Sequence, residues 1–168
     1  MDLTASARAP TSPKLAQQVA CAEIDQICML AHDHSVGLEA DAVLALAWEL
    51  KASFDAFESS EPDRAIAIAA AMEQLAAGST DISCRAVAAW THGMADQLEG
   101  DLPASLEHLE QAETAFIELG QPSLAAETLI SKLFSLAMLG RYDEALRAGL
   151  RARAIFLGHG DSLAAGKV

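Results

Sequence analysis

Residues 139–146 read LGRYDEAL: a helix end, a glycine turn and a fresh helical start. Near the same place one block earlier, residues 98–106 read LEGDLPASL, and one block before that, residues 57–66 read FESSEPDRAI. Ser60, Gly100 and Gly140 share a column, as do Ala65, Ser105 and Ala145, and then Ile66, Leu106 and Leu146. Cut at 41, 81, 121 and 161, the chain falls into blocks of forty residues, and the closing DSLAAGKV restarts the block that began QPSLAAETL. Self-similarity at this period marks a stacked array, in which each unit buries its apolar face against its neighbours. Each block carries two helical patterns around a central turn. Such arrays present an extended surface to a partner, so the period itself points to a binding scaffold.

Composition agrees with an all-α fold. The chain has 168 residues, enough for one domain, and is 52% hydrophobic and 21% charged. No stretch alternates apolar with polar residues as a half-buried strand would. Acidic residues outnumber basic ones, 24 to 11, giving a formal net charge of −13, and no Lys or Arg falls between Arg85 and Lys132. Nucleic acids and anionic lipid are recognised by cations that displace counterions, so neither is an expected partner. The acids read as a solvated outer face. Three cysteines without framework spacing argue against a disulfide scaffold and read as buried free thiols, Cys21 and Cys28 on one face of the first helix. The first residues lack the apolar core of a signal peptide, and no run approaches a membrane span, so a soluble cytoplasmic protein is expected.

Residues 1–12, rich in Ser, Thr, Ala and Pro, read as a flexible leader. Ser12-Pro13 then opens an N-terminal helix to about His32, with DHSVG as a loop, so that 13–36 form a helix and loop. Unit 1 spans 41–80, unit 2 spans 81–120, unit 3 spans 121–160, and 161–168 begin an incomplete fourth. The short intervals demand antiparallel neighbours, about seven helices in all. Thr80 or Asp81 is expected to cap the first helix of unit 2. Gly120 and Gly158 or Gly160 are expected to close second helices, and Gly140 to need a left-handed backbone, whereas Gly37 reads as loop.

Within each unit a small residue and a large aliphatic follow the turn, and a second small position comes seven residues later: Ser105, Leu106 and Ala112 in unit 2, Ala145, Leu146 and Ala152 in unit 3. Unit 1 keeps Ala65 and Ile66 but carries Met72 at the last position. Helices approach closely only where one side chain is small. This pattern resembles the tetratricopeptide repeat, whose second half reads G-x-Y-x-x-A-L followed by a small residue, as GRYDEAL does at 140–146. Gly93 stands where that family has its first-helix glycine, and units 3 and 1 depart there with Leu133 and Ser53. The forty-residue period is longer than the family's usual one and is similar to arrays in bacterial multidomain regulators. The resemblance implies a right-handed α-solenoid whose concave groove, lined by first helices, holds a peptide or another domain. Carried over residue by residue, its groove positions are Leu50, Lys51 and Phe54; Trp90, Thr91 and Met94; Ile130, Ser131 and Phe134.

Leu50, Trp90 and Ile130 form one column and Phe54, Met94 and Phe134 another, four residues on, so both lie on one helical face. The ridge serves either as groove or as packing between helices. In the second case Lys51 with Asp55, Thr91, and Ser131 with Ser135 supply a wetted stripe. The resemblance's carboxylate clamp needs Lys and Asn in these columns, so an acidic tail is not the expected ligand. His32-Asp33-His34 is the one metal-like cluster, with His92, His108 and His159 scattered elsewhere, and no metal or cofactor is expected. No nucleophile constellation or phosphate loop appears, and an enzyme is not expected. Glu110 and Glu113 read as exposed, and Arg147 as a surface partner for Glu107. The reading is a protein- or peptide-binding scaffold, the sensor or adaptor part of a larger bacterial regulator, with a receptor for a short signal peptide as the alternative. The uncapped fourth unit leaves Leu150, Ile155 and parts of Ala154 and Phe156 uncovered. It implies either continuation of the array in a longer protein or end-to-end self-association through the helix at 142–157.

Overall fold

The structure, a computed structural model, describes residues 13–166 and residue 168. The expected leader and the Ser12 cap lie outside the described residues. The described residues are helical without strands: α1 (Pro13–Cys21), a 3-10 turn (Ile24–Gln26), α2 (Ile27–Ser35), α3 (Ala40–Phe57), α4 (Pro62–Ala77), α5 (Ile82–Glu99), α6 (Leu102–Glu118), α7 (Pro122–Met138), α8 (Tyr142–Gly158) and α9 (Ser162–Ala165). From α3 onward each helix packs on the next, and α1 and α2 lie against α3 and α4. Units 1 to 3 are therefore α3/α4, α5/α6 and α7/α8.

The single N-terminal helix expected from the sequence is two helices, and Asp33 to Ser35 belong to the last turn of α2 rather than to a loop. Leu15, Val19, Ile27 and Ala31 are all buried. Over the sixteen residues from Leu15 to Ala31 an unbroken helix would rotate about 160° away from the core, and the break restores the phase. The carbonyls released at the break are capped from α4: Arg64 Nη1 donates to Val19 O at 2.7 Å and to Ala22 O at 2.8 Å. Of the three cysteines only Cys84 is buried; Cys28 is half-buried and Cys21 exposed, and the break puts these two on different helices.

From α5 onward one turn recurs every twenty residues. Gly100, Gly120, Gly140 and Gly160 all have φ between +67° and +83°. The next amide in each case donates back to the carbonyl five residues earlier: Asp101 to Asp96, Gln121 to Phe116, Arg141 to Leu136 and Asp161 to Phe156, at 2.8–2.9 Å. This is the Schellman arrangement, which satisfies the last carbonyls of one helix while turning the chain. Gly160 fills that place, and Gly158 is the last residue of α8. Side-chain caps then start some helices: Asp81 accepts from Ser83 N, Asp101 from Ala104 N and Asp161 from Ala164 N. The fourth unit keeps the forty-residue register, since α9 begins forty residues after α7 and buried Ala165 matches buried Ala125. The likeness between SLAA at 162–165 and SLAA at 123–126 is therefore offset by one residue.

Close packing within units rests on complementary sizes. A Cβ at Gly93 would meet Leu109 Cγ at 2.7 Å and Ser105 O at 3.0 Å, so α5 and α6 touch there through the absent side chain. Unit 3 reverses the pair. Leu133 stands in the column of Gly93, Gly149 in that of Leu109, and a Cβ at Gly149 would lie 3.8 Å from Leu133. Unit 1 has Ser53 and Ala69 in these columns, both buried. The departure from the repeat motif at Leu133 is thus compensated on the facing helix. A large core runs from α1 to the start of α7, and a smaller one joins α7, α8 and α9 around Leu129, Ala152 and Phe156.

Candidate functional site

The nine groove positions fall on the first helices α3, α5 and α7, but they are not one exposed ridge. Leu50, Phe54 and Thr91 are fully buried, Lys51 is 4% and Trp90 6% exposed, and Met94, Ile130 and Ser131 are half-buried. Phe134 alone stands out, at 51%. The expected wetted stripe is largely dry as well. Thr91 Oγ1 donates to Val87 O, and buried Ser135 bonds Ser105 and the Gln97 side-chain amide, both at 2.9 Å. The physical reason is position: α5 sits between α4, α6 and the flanking first helices, so its face toward α3 and α7 is interior.

These positions nevertheless form a continuous line across the units. Lys51 Nζ pairs with the Asp55 carboxylate and lies 4.4 Å above the Trp90 ring. Trp90 Nε1 donates to Ser131 Oγ at 3.0 Å, and its ring meets Phe116 edge-on at 6.0 Å. Gln97 extends the line by donating to Ser131 O at 2.8 Å. A buried ammonium between a carboxylate and an indole face is compensated twice, by charge and by the ring quadrupole. Lys51 thereby spends its charge inside the fold and offers none to a ligand's carboxylate. The solvent edge of this face carries Phe134, half-exposed Asp55 and half-buried Glu58, whose carboxyl is pushed up by burial first and by Asp55 second, against a downward pull from Lys51.

Two charge expectations are corrected. Glu113 is buried, not exposed, and bonds Lys132 Nζ at 3.1 Å and Arg151 Nη1 at 2.6 Å, tying α6, α7 and α8 together. The partner on α8 is thus Arg151 with Glu113, rather than Arg147 with Glu107. Arg147 lines a cleft of about 200 Å³ above that triad, with Glu110, Arg141 and Glu144. A buried carboxylate requires such partners, and the helix-face spacing of Glu110 and Glu113 gave no sign of which one turns inward.

His32 lines a cavity of about 430 Å³ between α2, α3 and α4, whereas His34 Nε2 bonds Gln18 Oε1 at 2.8 Å, so the two do not converge. The histidines read as scattered do: His92 and His108 come together around Asp96. His92 and Asp96 show helical spacing in the sequence, but only the turn at Gly100 and the pairing of α5 with α6 deliver His108. No family model matches the chain, and no curated protein and no solved structure matches it either.

Proposed function

We propose that the chain is a binding scaffold of tetratricopeptide type, a right-handed solenoid that holds an apolar peptide segment of a partner protein on its first-helix face. It would serve as the sensor or adaptor part of a larger regulator. The observation that carries this reading is Phe134: its column-mates sink, Phe54 completely and Met94 partly, while Phe134 leaves half its surface in water. Exposed aromatics bind well because they offer large area at little entropic cost. With Asp55 paired to Lys51, Glu58 gives this face a net negative charge that favours a basic flank on the ligand. Lys51, Trp90 and Ser131 set the backing against which such a peptide would lie.

Selection from a random peptide library tests this. Peptides enriched on the wild-type chain should bind Phe134→Ala at least about tenfold more weakly, a loss of about 1.4 kcal/mol, while the melting temperature barely moves. Trp90→Ala, by contrast, should cost about 3–5 kcal/mol of stability, because its ring is core. Selected peptides that bind Phe134→Ala as tightly as wild type would remove the groove assignment.

A further inference from the structure

His92 and Asp96 lie four residues apart on α5, and His108 reaches them from α6. Asp96 is 5% exposed, and its two oxygens divide between the imidazoles: Oδ2 is 2.7 Å from His108 Nδ1, and Oδ1 is 3.5 Å from His92 Nδ1. The rings stand 4.8 Å apart, centroid to centroid. At 3.5 Å His92 Nδ1 stands within ion-pairing reach of the Asp96 carboxylate but makes no hydrogen bond, and it is sealed from water. The other ring nitrogen, Nε2, lies 3.1 Å from Glu73 Oε2 on α4.

That arrangement has a chemical consequence. An imidazole that donates its Nε2 proton to Glu73 keeps a lone pair on Nδ1, and here the lone pair faces a carboxylate oxygen in a dry site. Two acceptors facing each other out of water are unfavourable unless a proton or a metal cation sits between them. A carboxylate gripping the far nitrogen of a ligating histidine is the usual outer support of a metal-bound imidazole, fixing tautomer and ring plane. Ligands about 2.0–2.1 Å from a tetrahedral centre stand about 3.3 Å from one another. The Asp96 oxygens bracket that value, and the three ligand atoms lie within 4.8 Å of one another, so the two rings close on the ion by a small side-chain movement.

We propose that His92 Nδ1, the Asp96 carboxylate and His108 Nδ1 bind a divalent transition-metal ion of the zinc class, with Glu73 orienting His92. Two imidazoles and a carboxylate suit zinc, cobalt or nickel better than calcium or magnesium, which prefer all-oxygen shells. In the bare chain a proton holds His108 to Asp96; the ion takes its place, and the ring proton of His108 passes through solvent to Nε2. Three protein ligands leave a fourth position for water. His92 and His108 also line a cavity of about 290 Å³, with Glu73, Arg85 and Gln111, which gives the ion a route in. Its ligands join α5 to α6, and Glu73 brings in α4, so the ion would clamp unit 1 to unit 2. This proposal is independent of the peptide-binding reading.

The test uses the full chain, stripped with chelator and titrated calorimetrically with zinc chloride. One equivalent should bind with micromolar affinity or better, and the melting temperature should climb with zinc concentration. Cobalt should give the visible bands of a four-coordinate ion, absent in His108→Gln. Glu73→Gln, a change at an exposed carboxylate, should weaken zinc binding by about 10- to 100-fold without loss of fold. His34→Ala should leave binding unchanged. Zinc affinity no better than millimolar in the wild type, or unchanged affinity in either His108→Gln or Glu73→Gln, would overturn the assignment. Should His108→Gln fail to fold, Glu73→Gln decides alone. In the overturned case the trio is a hydrogen-bonded cluster that merely neutralises buried Asp96.

Discussion

At the scale of single residues, Gly93 shows how closely the two helices of a unit approach. Leu109 and the carbonyl of Ser105 occupy the space that any side chain at 93 would need. Gly93→Ala gains helix propensity worth about 1 kcal/mol but must push α5 from α6, so a net loss of about 1–2 kcal/mol is expected in chemical denaturation. In a Leu109→Ala background the same change should cost less, and the coupling between the two measures their contact. Glu49 gives a second prediction at this scale. Its Oε2 is shut away without a partner, and burial raises its carboxyl above the ordinary 4.5, with His34 pulling weakly the other way. The folded chain thus holds this proton more tightly than the unfolded chain. Stability contributed by the protonated form is present below the ordinary value and lost as pH rises through the folded value. Glu49→Gln should therefore melt higher than wild type at neutral pH, and the gap should close in acid; a gap independent of pH would contradict the assignment. Sequence showed Gly93 through its column. It could not show Glu49, Glu113 or Lys51 turning inward, because helical spacing fixes a face but not what covers it.

At the scale of elements, the legible features were those decided by local chemistry. Proline at first turns, Asp81 at a cap and glycine at the turns all stood in the sequence, and the helix expected at 142–157 is Tyr142–Gly158. The N-terminal break was not legible. It depends on Arg64, more than forty residues away, capping the carbonyls of Val19 and Ala22. Gly37 lies in the loop between α2 and α3, as its sequence reads, but shares the backbone of the turn glycines. Its φ of +76° matches the +72° of Gly140, and neither would meet any neighbour if given a Cβ. A left-handed residue with a side chain costs about 1–2 kcal/mol wherever it lies. Gly37→Ala and Gly140→Ala should therefore lose similar stability by denaturant titration, and the expected contrast between turn and loop disappears. A loss at Gly140 alone would mean that the α2–α3 connection relaxes to another conformation at no cost.

At the scale of the whole molecule, one column reports what stacking does. Leu106 on α6, a helix packed against α7, is 6% exposed, and Leu146, its counterpart on α8, is 64% exposed. Leu150, Leu157 and Leu163 are likewise more than half exposed, whereas Phe156, expected to be partly uncovered, is 1% exposed because it belongs to the core formed with α9. The short α9 thus seals the inner edge of α8 and leaves its outer leucines in water. The period made the dependence on a neighbour visible, since each unit of an array buries its apolar face against the next. An apolar strip of this kind favours association when chains are concentrated. Light scattering of the isolated chain should show an apparent mass that rises with concentration. Leu150→Glu should hold it at the monomer value, since a carboxylate buried between two copies would have to lose its water. Stability of that variant should change little, within about 0.5 kcal/mol, because the side chain is exposed. A wild-type chain that stays monomeric and binds no hydrophobic dye would mean that these leucines are covered in solution by a rearrangement of α9. If the wild type associates but Leu150→Glu does so equally, the contact lies elsewhere, and the exposed Phe134 face becomes the first place to look.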